Sequence, residues 1–199
     1  MLGSAAVAIW CDVSAEMRDE FDDWHAHEHM PERLSIPGFL RGSRWVAADG
    51  GGGYFMMYEV ETPEVLTGAA YLARLNNPTR WSRKMMPHHR NMVRGLCRVE
   101  ASHGTALGQA LASVRFSGQP PALDPALAAR KGLIAAHLLR NLAHASAETT
   151  EQKLRGGDRA PDWVALVIGY SFEAVTAAGQ ELVRPDAVAA TYRLAYALT

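Results

Sequence analysis

Trp24, His25, His27, Glu28 and His29 fall within six residues, inside the run Phe21-Asp22-Asp23-Trp24-His25-Ala26-His27-Glu28-His29-Met30-Pro31-Glu32-Arg33. No other stretch concentrates as many groups able to move protons or bind metal. Three chemistries can be written for it. The first is proton transfer by the neighbours Glu28 and His29. An imidazole titrates near neutral pH. Glu28 falls near a helix C-terminus and on a partly buried face, and both effects raise a carboxyl's pKa. His29 is then base or acid and Glu28 its partner. In the competing reading, Glu28 pairs with a sheet arginine and His29 caps the helix end. The second chemistry is metal binding by His25 and His29, four apart on one side of a helix, completed by Glu28 or His88-His89. These positions match no standard zinc signature, and no native metal is expected. The third is anion binding. Arg44 on one strand, or Arg94 and Arg98 on another, would hold a substrate carboxylate if left unpaired in the interior. A structural network with Glu59 and Asp12 is the alternative.

Among the aromatics, Trp24 lies one turn before Glu28 and would wall a hydrophobic substrate. Trp81 sits in an irregular segment able to cover a cleft. Trp45, Tyr54 and Tyr58 read as core at strand spacing. Gly50 to Gly53 joins two strands and opens no helix, so it is not a phosphate loop. No Ser-His-Asp or Cys-His arrangement can be argued from spacing.

The elements that must position these groups follow from periodicity. Val7, Ile9, Cys11 and Val13 alternate in a first strand over Ala5 to Val13. Ser14 and Glu16 open a helix, on which Met17, Phe21, Trp24 and Glu28 recur at helical spacing. On that phase His25 and His27 lie at the edges of the apolar face. Pro31 disfavours helical geometry at Met30, so the helix ends or distorts just after His29. Gly38 to Ala48 and Tyr54 to Val60 form an antiparallel hairpin. Thr62-Pro63-Glu64 opens a second helix to about Leu75. Thr79 to Met86 is a short excursion, and Met92 to Glu100 a fourth strand. The order β-α-β-β-α-β is ferredoxin-like.

The second half echoes the first. Glu64-Val65-Leu66-Thr67-Gly68-Ala69-Ala70 has a counterpart in Glu173-Ala174-Val175-Thr176-Ala177-Ala178-Gly179, each just after an apolar strand. Leu107 to Phe116 would open this half, Gly118-Gln119-Pro120-Pro121 ends that strand, and a short helix starts at Asp124. Leu142 to Asp162 repeats nothing and reads as an exposed loop or lid, with Gly156-Gly157-Asp158 its glycine-containing part. A sheet with both helices on one face leaves the other bare. The fold class is therefore α+β: two ferredoxin-like halves, residues 1–102 and 103–199, packed sheet to sheet as an α/β barrel.

The formal charge of −1 gives no electrostatic case for nucleic acid or an anionic membrane. No run approaches the roughly 18 apolar residues of a spanning helix. Met1 to Trp10 lacks a basic start and reads as a strand, not a signal peptide. Cys11 and Cys97 make no framework and suit reduced thiols in a cytoplasmic protein.

The motif Trp24-x-x-x-Glu28-His29-x-Pro31-Glu32-Arg33, followed by Pro37-Gly38-Phe39, Arg44 and Asn77-Pro78-Thr79-x-Trp81, resembles the dimeric α/β-barrel superfamily near its EthD-like branch. The match covers residues 5 to 100; the second half lacks the signature. The resemblance implies a helix–sheet cleft with the helical histidine at its edge, here in a single-chain fusion. Members of that superfamily include cofactor-independent isomerases, cyclases and monooxygenases, and haem-binding enzymes. The expectation is proton-transfer chemistry without an organic cofactor (isomerase, cyclase or decarboxylase type) on a small hydrophobic or aromatic substrate. His29 and Glu28 would be catalytic, with Trp24, Trp81 and Arg44 against the substrate. A non-catalytic binding or stress-associated protein and a haem protein are the alternatives. The superfamily's habit of pairing makes a homodimer an option.

Overall fold

Apolar residues on both faces of a strand need a layer on each side. The strand Ala5–Val13 (β1) has that pattern. In a computed structural model describing residues 1–51, 53–120, 122–142, 148–157 and 159–199, both layers are present. Ala6, Ala8 and Trp10 point into a barrel, packed with Trp45, Phe55, Leu111, Leu139 and Leu166. Val7 joins an outer cluster with Met30, Tyr58 and Tyr71, and Cys11 and Val13 join another with Phe21 and Trp24.

The remaining strands are β2 Phe39–Ala47, β3 Gly53–Val60, β4 His89–His103, β5 Ala110–Phe116, β6 Leu133–Asn141, β7 Trp163–Gly169 and β8 Val188–Leu198. They close an antiparallel barrel in the order β1-β3-β2-β8-β5-β7-β6-β4. Within it, 4-1-3-2 is followed by 8-5-7-6, the same pattern twice. The first strands of each run join to the second through β2–β8 and β4–β6 pairing. Sheet-to-sheet packing was therefore too simple an expectation. The two sheets also share backbone hydrogen bonds along both edges, which leaves no unpaired edge. β4 is longer than the expected Met92 to Glu100 because it serves β1 and β6 at once.

The helical layer over the first four strands consists of α1 Arg18–Trp24, a π-helical turn His25–His29, α2 Met30–Leu34, α3 Ala69–Asn76 and α4 Arg80–Met85. The second helix is shorter than expected: Pro63–Thr67 is a 3-10 turn, and Gly68 takes an extended conformation before α3. Helix α5 Thr150–Arg155, although it comes from the second half, packs over the first sheet against α3 and β4. Over the other sheet lie α6 Phe172–Glu181 and a 3-10 turn Pro125–Ala129 capped by Asp124. That turn stands where the first half has its long helix. The hairpin between β2 and β3 forms as expected, although Gly52 of its glycine run is outside the described residues. So are Pro121 and, in the non-repeating segment, residues 143–147 and Asp158. Among the described residues no helix is long and apolar enough to cross a membrane.

Candidate functional site

Pro31 lacks an N–H, and its ring crowds the carbonyl four residues earlier. The helix does not end there. It runs on to Leu34, and the strain is taken up just before the proline, where His25–His29 widens into a π-helical turn. Such a turn spaces hydrogen bonds five residues apart and shifts the phase of everything after it. The residue whose ring packs on Trp24 is therefore His29, five positions on, with ring centroids 4.4 Å apart and the planes tilted by 32°. Glu28, four positions on, turns away.

This corrects two expectations. Glu28 does not share a pocket with His29. Its carboxylate accepts hydrogen bonds from Thr79 Oγ1 at 2.5 Å and Ser82 Oγ at 3.4 Å, which ties the helix to α4. His25 is not peripheral: it is 1% exposed and its Nε2 meets the Tyr58 hydroxyl at 3.0 Å. His27 is the exposed member.

Behind the helix, against β1, β3 and β4, lies a small cavity of about 30 Å³. Trp24, His25, His29, His89, Tyr58 and Tyr71 line it, with Arg33, Arg94, Glu151 and Arg155 at its polar side. The space admits one or two waters. A haem macrocycle does not fit it. The three imidazoles sit in an aromatic cluster: His25 and His29 are 5.7 Å apart, and His89 lies 5.4 Å from Phe21 and 5.9 Å from Trp24. Among the described residues no group of three or more His, Cys, Asp or Glu is placed to hold a metal.

Burial keeps all three histidines uncharged. It lowers His25 and His29 well below the ordinary imidazole range, helped by Arg44 for His25 and by Arg33 for His29. Burial takes His89 down to about 4. His89 Nδ1 lies 3.1 Å from the Met86 carbonyl. Only an N–H can donate there, so the proton sits on Nδ1 and Nε2 carries a lone pair. Nδ1 of His25 and Nδ1 of His29 are buried with no hydrogen-bond partner. Burial also raises Tyr58, so its hydroxyl keeps its proton.

Helix α5 closes the cavity. Thr149 and Gln152 make a reciprocal capping box at its start, and Thr150 N donates to Asn76 Oδ1 at 3.1 Å. Glu151, 2% exposed, accepts from Arg33 Nη2 and lies 3.7 Å from Arg155 Nη1. Arg33 also reaches Glu32 at 3.1 Å. Burial acts to lower the Arg33 guanidinium, and Glu151, together with Tyr71 and Tyr58, reverses it to a net rise. Arg94 Nη2 donates to the Tyr71 hydroxyl at 2.7 Å. Glu151 is the only carboxylate among the described lining residues, facing three guanidinium groups.

Trp24 is a wall of this cavity, fully buried, with Nε1 donating to Ser82 Oγ at 3.3 Å. Trp81 and Arg44 are not walls. The Trp81 indole donates to Glu20 at 3.2 Å, on the outer side of α1 and α4. Arg44 reaches the backbone carbonyl of Asp22 at 2.8 Å and its carboxylate at 3.3 Å, pinning α1 to β2. Glu59, expected as its partner, bonds Arg41 and the Leu2 amide instead. Arg98 is exposed. The residues that sequence reasoning undervalued are His89, Arg33, Glu151 and Arg155. For the last two a signal existed: Thr149-x-x-Gln152 is a capping box, with an acid and a base four apart behind it.

No protein-family model matches the chain, and no curated protein does. Solved structures do. An anthrone oxidase-like protein aligns with TM-score 0.59 at 11% identity, covering 98% of this chain and 92% of its own. A candidate monooxygenase of Fusobacterium nucleatum subsp. nucleatum aligns with TM-score 0.57 at 6% identity, over 99% and 95%. A candidate monooxygenase of Lactobacillus acidophilus aligns with TM-score 0.57 at 9% identity, over 98% and 96%. At such identities the likeness carries the fold alone. The chain shares with these proteins, from end to end, an α+β architecture built here on a closed eight-stranded antiparallel barrel.

Proposed function

We propose that the chain is a cofactor-independent enzyme that removes a proton from a small aromatic substrate with an acidic C–H or O–H, in the cavity beneath α5. The observation that carries this reading is the orphaned Nδ1 atoms of His25 and His29 beside a cavity walled by aromatics. An unpaired buried polar atom costs about 1–3 kcal/mol. A ligand that supplies a polar partner recovers that cost. His29 is the acceptor, packed against and oriented by Trp24. His89, its Nε2 free to accept, is the second base. Arg33, Arg94 and Arg155 are placed to stabilise negative charge developing on the substrate.

A ring substrate needs a pocket of roughly 300 Å³ or more, so the closed arrangement is a resting state and α5 must lift. Its closure rests on polar contacts, chiefly Glu151 with Arg33. Lifting α5 readmits water and reverses part of the burial that depresses the imidazoles, which restores their basicity when substrate enters.

The name of one protein sharing the fold, an anthrone oxidase-like protein, suggests anthrone as the first substrate. Loss of a ring proton to His29 leaves an electron-rich anion that reduces O2 directly. Anthrone and O2 then give anthraquinone and water. Oxygen uptake and anthraquinone absorbance test this. His29→Ala lowers the rate by about 10²–10⁴-fold and Glu28→Gln leaves it near wild type. Equal rates for His29→Ala and wild type would remove His29 from the chemistry.

The repeated strand order supports reading residues 1–102 and 103–199 as two ferredoxin-like halves. The motif from Trp24 to Phe39 supports placing the first near the EthD-like branch. One site per chain follows, because the second half has a 3-10 turn where the first carries the histidine helix.

A further inference from the structure

A second cavity, larger than the one beneath α5, lies elsewhere. It opens at the barrel mouth, measures about 490 Å³ and shares no lining residue with the histidine cavity. That volume lies within the range of small-molecule sites, about 300–1,000 Å³. Its walls include Trp10, Tyr54, Phe116 and Tyr192, and two arginines, Arg115 and Arg159, reach it from β5 and from the segment after α5. The Arg115 guanidinium lies 4.9 Å over the Trp10 ring. Trp10 packs on the buried Phe55 at 5.0 Å, and Phe55 on Tyr192 at 5.8 Å, so the two lining aromatics are braced by the core beneath them.

The described lining of the mouth carries two arginines and two carboxylates, Asp12 and Asp186. Among the described residues neither Arg115 nor Arg159 has an ion pair. Asp12 also lines the cavity, but its carboxylate accepts from Asn91 Nδ2 at 2.6 Å. Asn91 itself has a left-handed φ of 52°. Burial lowers the Arg115 guanidinium, with Arg159 adding to the shift and Tyr192 opposing it. Arg159 is fixed at the rim by its backbone, which bonds Arg94 N at 2.7 Å and Met92 O at 3.3 Å.

We infer that the barrel mouth is a second ligand site, for a flat aromatic carboxylate, with the carboxylate met by Arg115 and Arg159 and the ring laid against Trp10, Phe116 and Tyr192. Guanidinium forks match a carboxylate's geometry. The aromatic lining excludes ligands that bring charge without a ring. This site is independent of the proton-transfer reading.

Calorimetry and tryptophan fluorescence with 2-naphthoate test it, with 2-naphthylmethanol as the uncharged counterpart. The acid binds and the alcohol binds at least about tenfold more weakly. Arg115→Gln and Arg159→Gln each weaken the acid by about tenfold and leave the alcohol unchanged. Arg159 is exposed, so its replacement does not put folding at stake. His29→Ala leaves both affinities as they were. Absence of binding, equal affinity for acid and alcohol, or loss of binding in His29→Ala but not in the arginine variants would overturn the proposal.

Discussion

Acid destabilises this protein through imidazoles that cannot accept a proton while folded. Burial holds His89 at about 4 and His137, inside the barrel near Ser102, at about 3, against an ordinary value of 6.5. Such a group binds fewer protons folded than unfolded. Its contribution is complete above pH 6.5 and is lost as pH falls toward the folded value. At pH 5 each of these two histidines costs about 2 kcal/mol. Together they remove about 4 kcal/mol, a large part of the roughly 5–15 kcal/mol that stabilises an ordinary domain. His25 and His29 act in the same direction. Urea unfolding from pH 7.5 to 5 reads the loss directly. In His89→Gln and in His137→Gln the slope of stability against pH falls by about 1.2 kcal/mol per unit near pH 5.5. Wild-type slopes in both variants would mean that these imidazoles are hydrated and titrate normally, and the closed, dry cavity would be wrong.

Two further perturbations probe the parts that hold the site. A Cβ on Gly42 would sit 2.8 Å from Cγ and Sδ of Met30, which is fully buried one residue beyond the π-turn, so Gly42→Ala costs about 1–3 kcal/mol in thermal unfolding. No change would show that Met30 repacks freely. Glu151→Gln weakens the clasp on α5. Because Arg33 keeps Glu32, the loss is about 2 kcal/mol, less than the about 3–5 kcal/mol of an abandoned buried charge. Hydrogen exchange over residues 149–157 accelerates in this variant, and unchanged protection there would rule out Glu151 as the latch.

The strands and their pairing in the first half were legible because each has its own signal. β1 alternates, and the glycine run sets the hairpin. Closure of the barrel was not, since pairing between β2 and β8 or β4 and β6 has no local mark. The site was half legible. Trp24 and His29 were chosen from a helix of 3.6 residues per turn, and the true phase is broken by the π-turn that Pro31 imposes. That single irregularity exchanged the roles of Glu28 and His25. The partners of Arg44 and Trp81, Asp22 and Glu20, lie on α1 ahead of the π-turn, and a pairing between elements so far apart in the chain has no spacing to mark it. Glu151 and Arg155 come from a polar segment that composition alone places in solvent. They are buried because each finds a charged partner there.

Proton abstraction itself can be watched without oxygen. Anthrone in D2O under argon loses its methylene proton signal as those protons exchange. Wild-type protein accelerates that loss over buffer, Glu28→Gln does the same, and His29→Ala returns the rate toward that of buffer. If wild type exchanges no faster than buffer, or His29→Ala exchanges as fast as wild type, the cavity beneath α5 is not a site of proton transfer by His29.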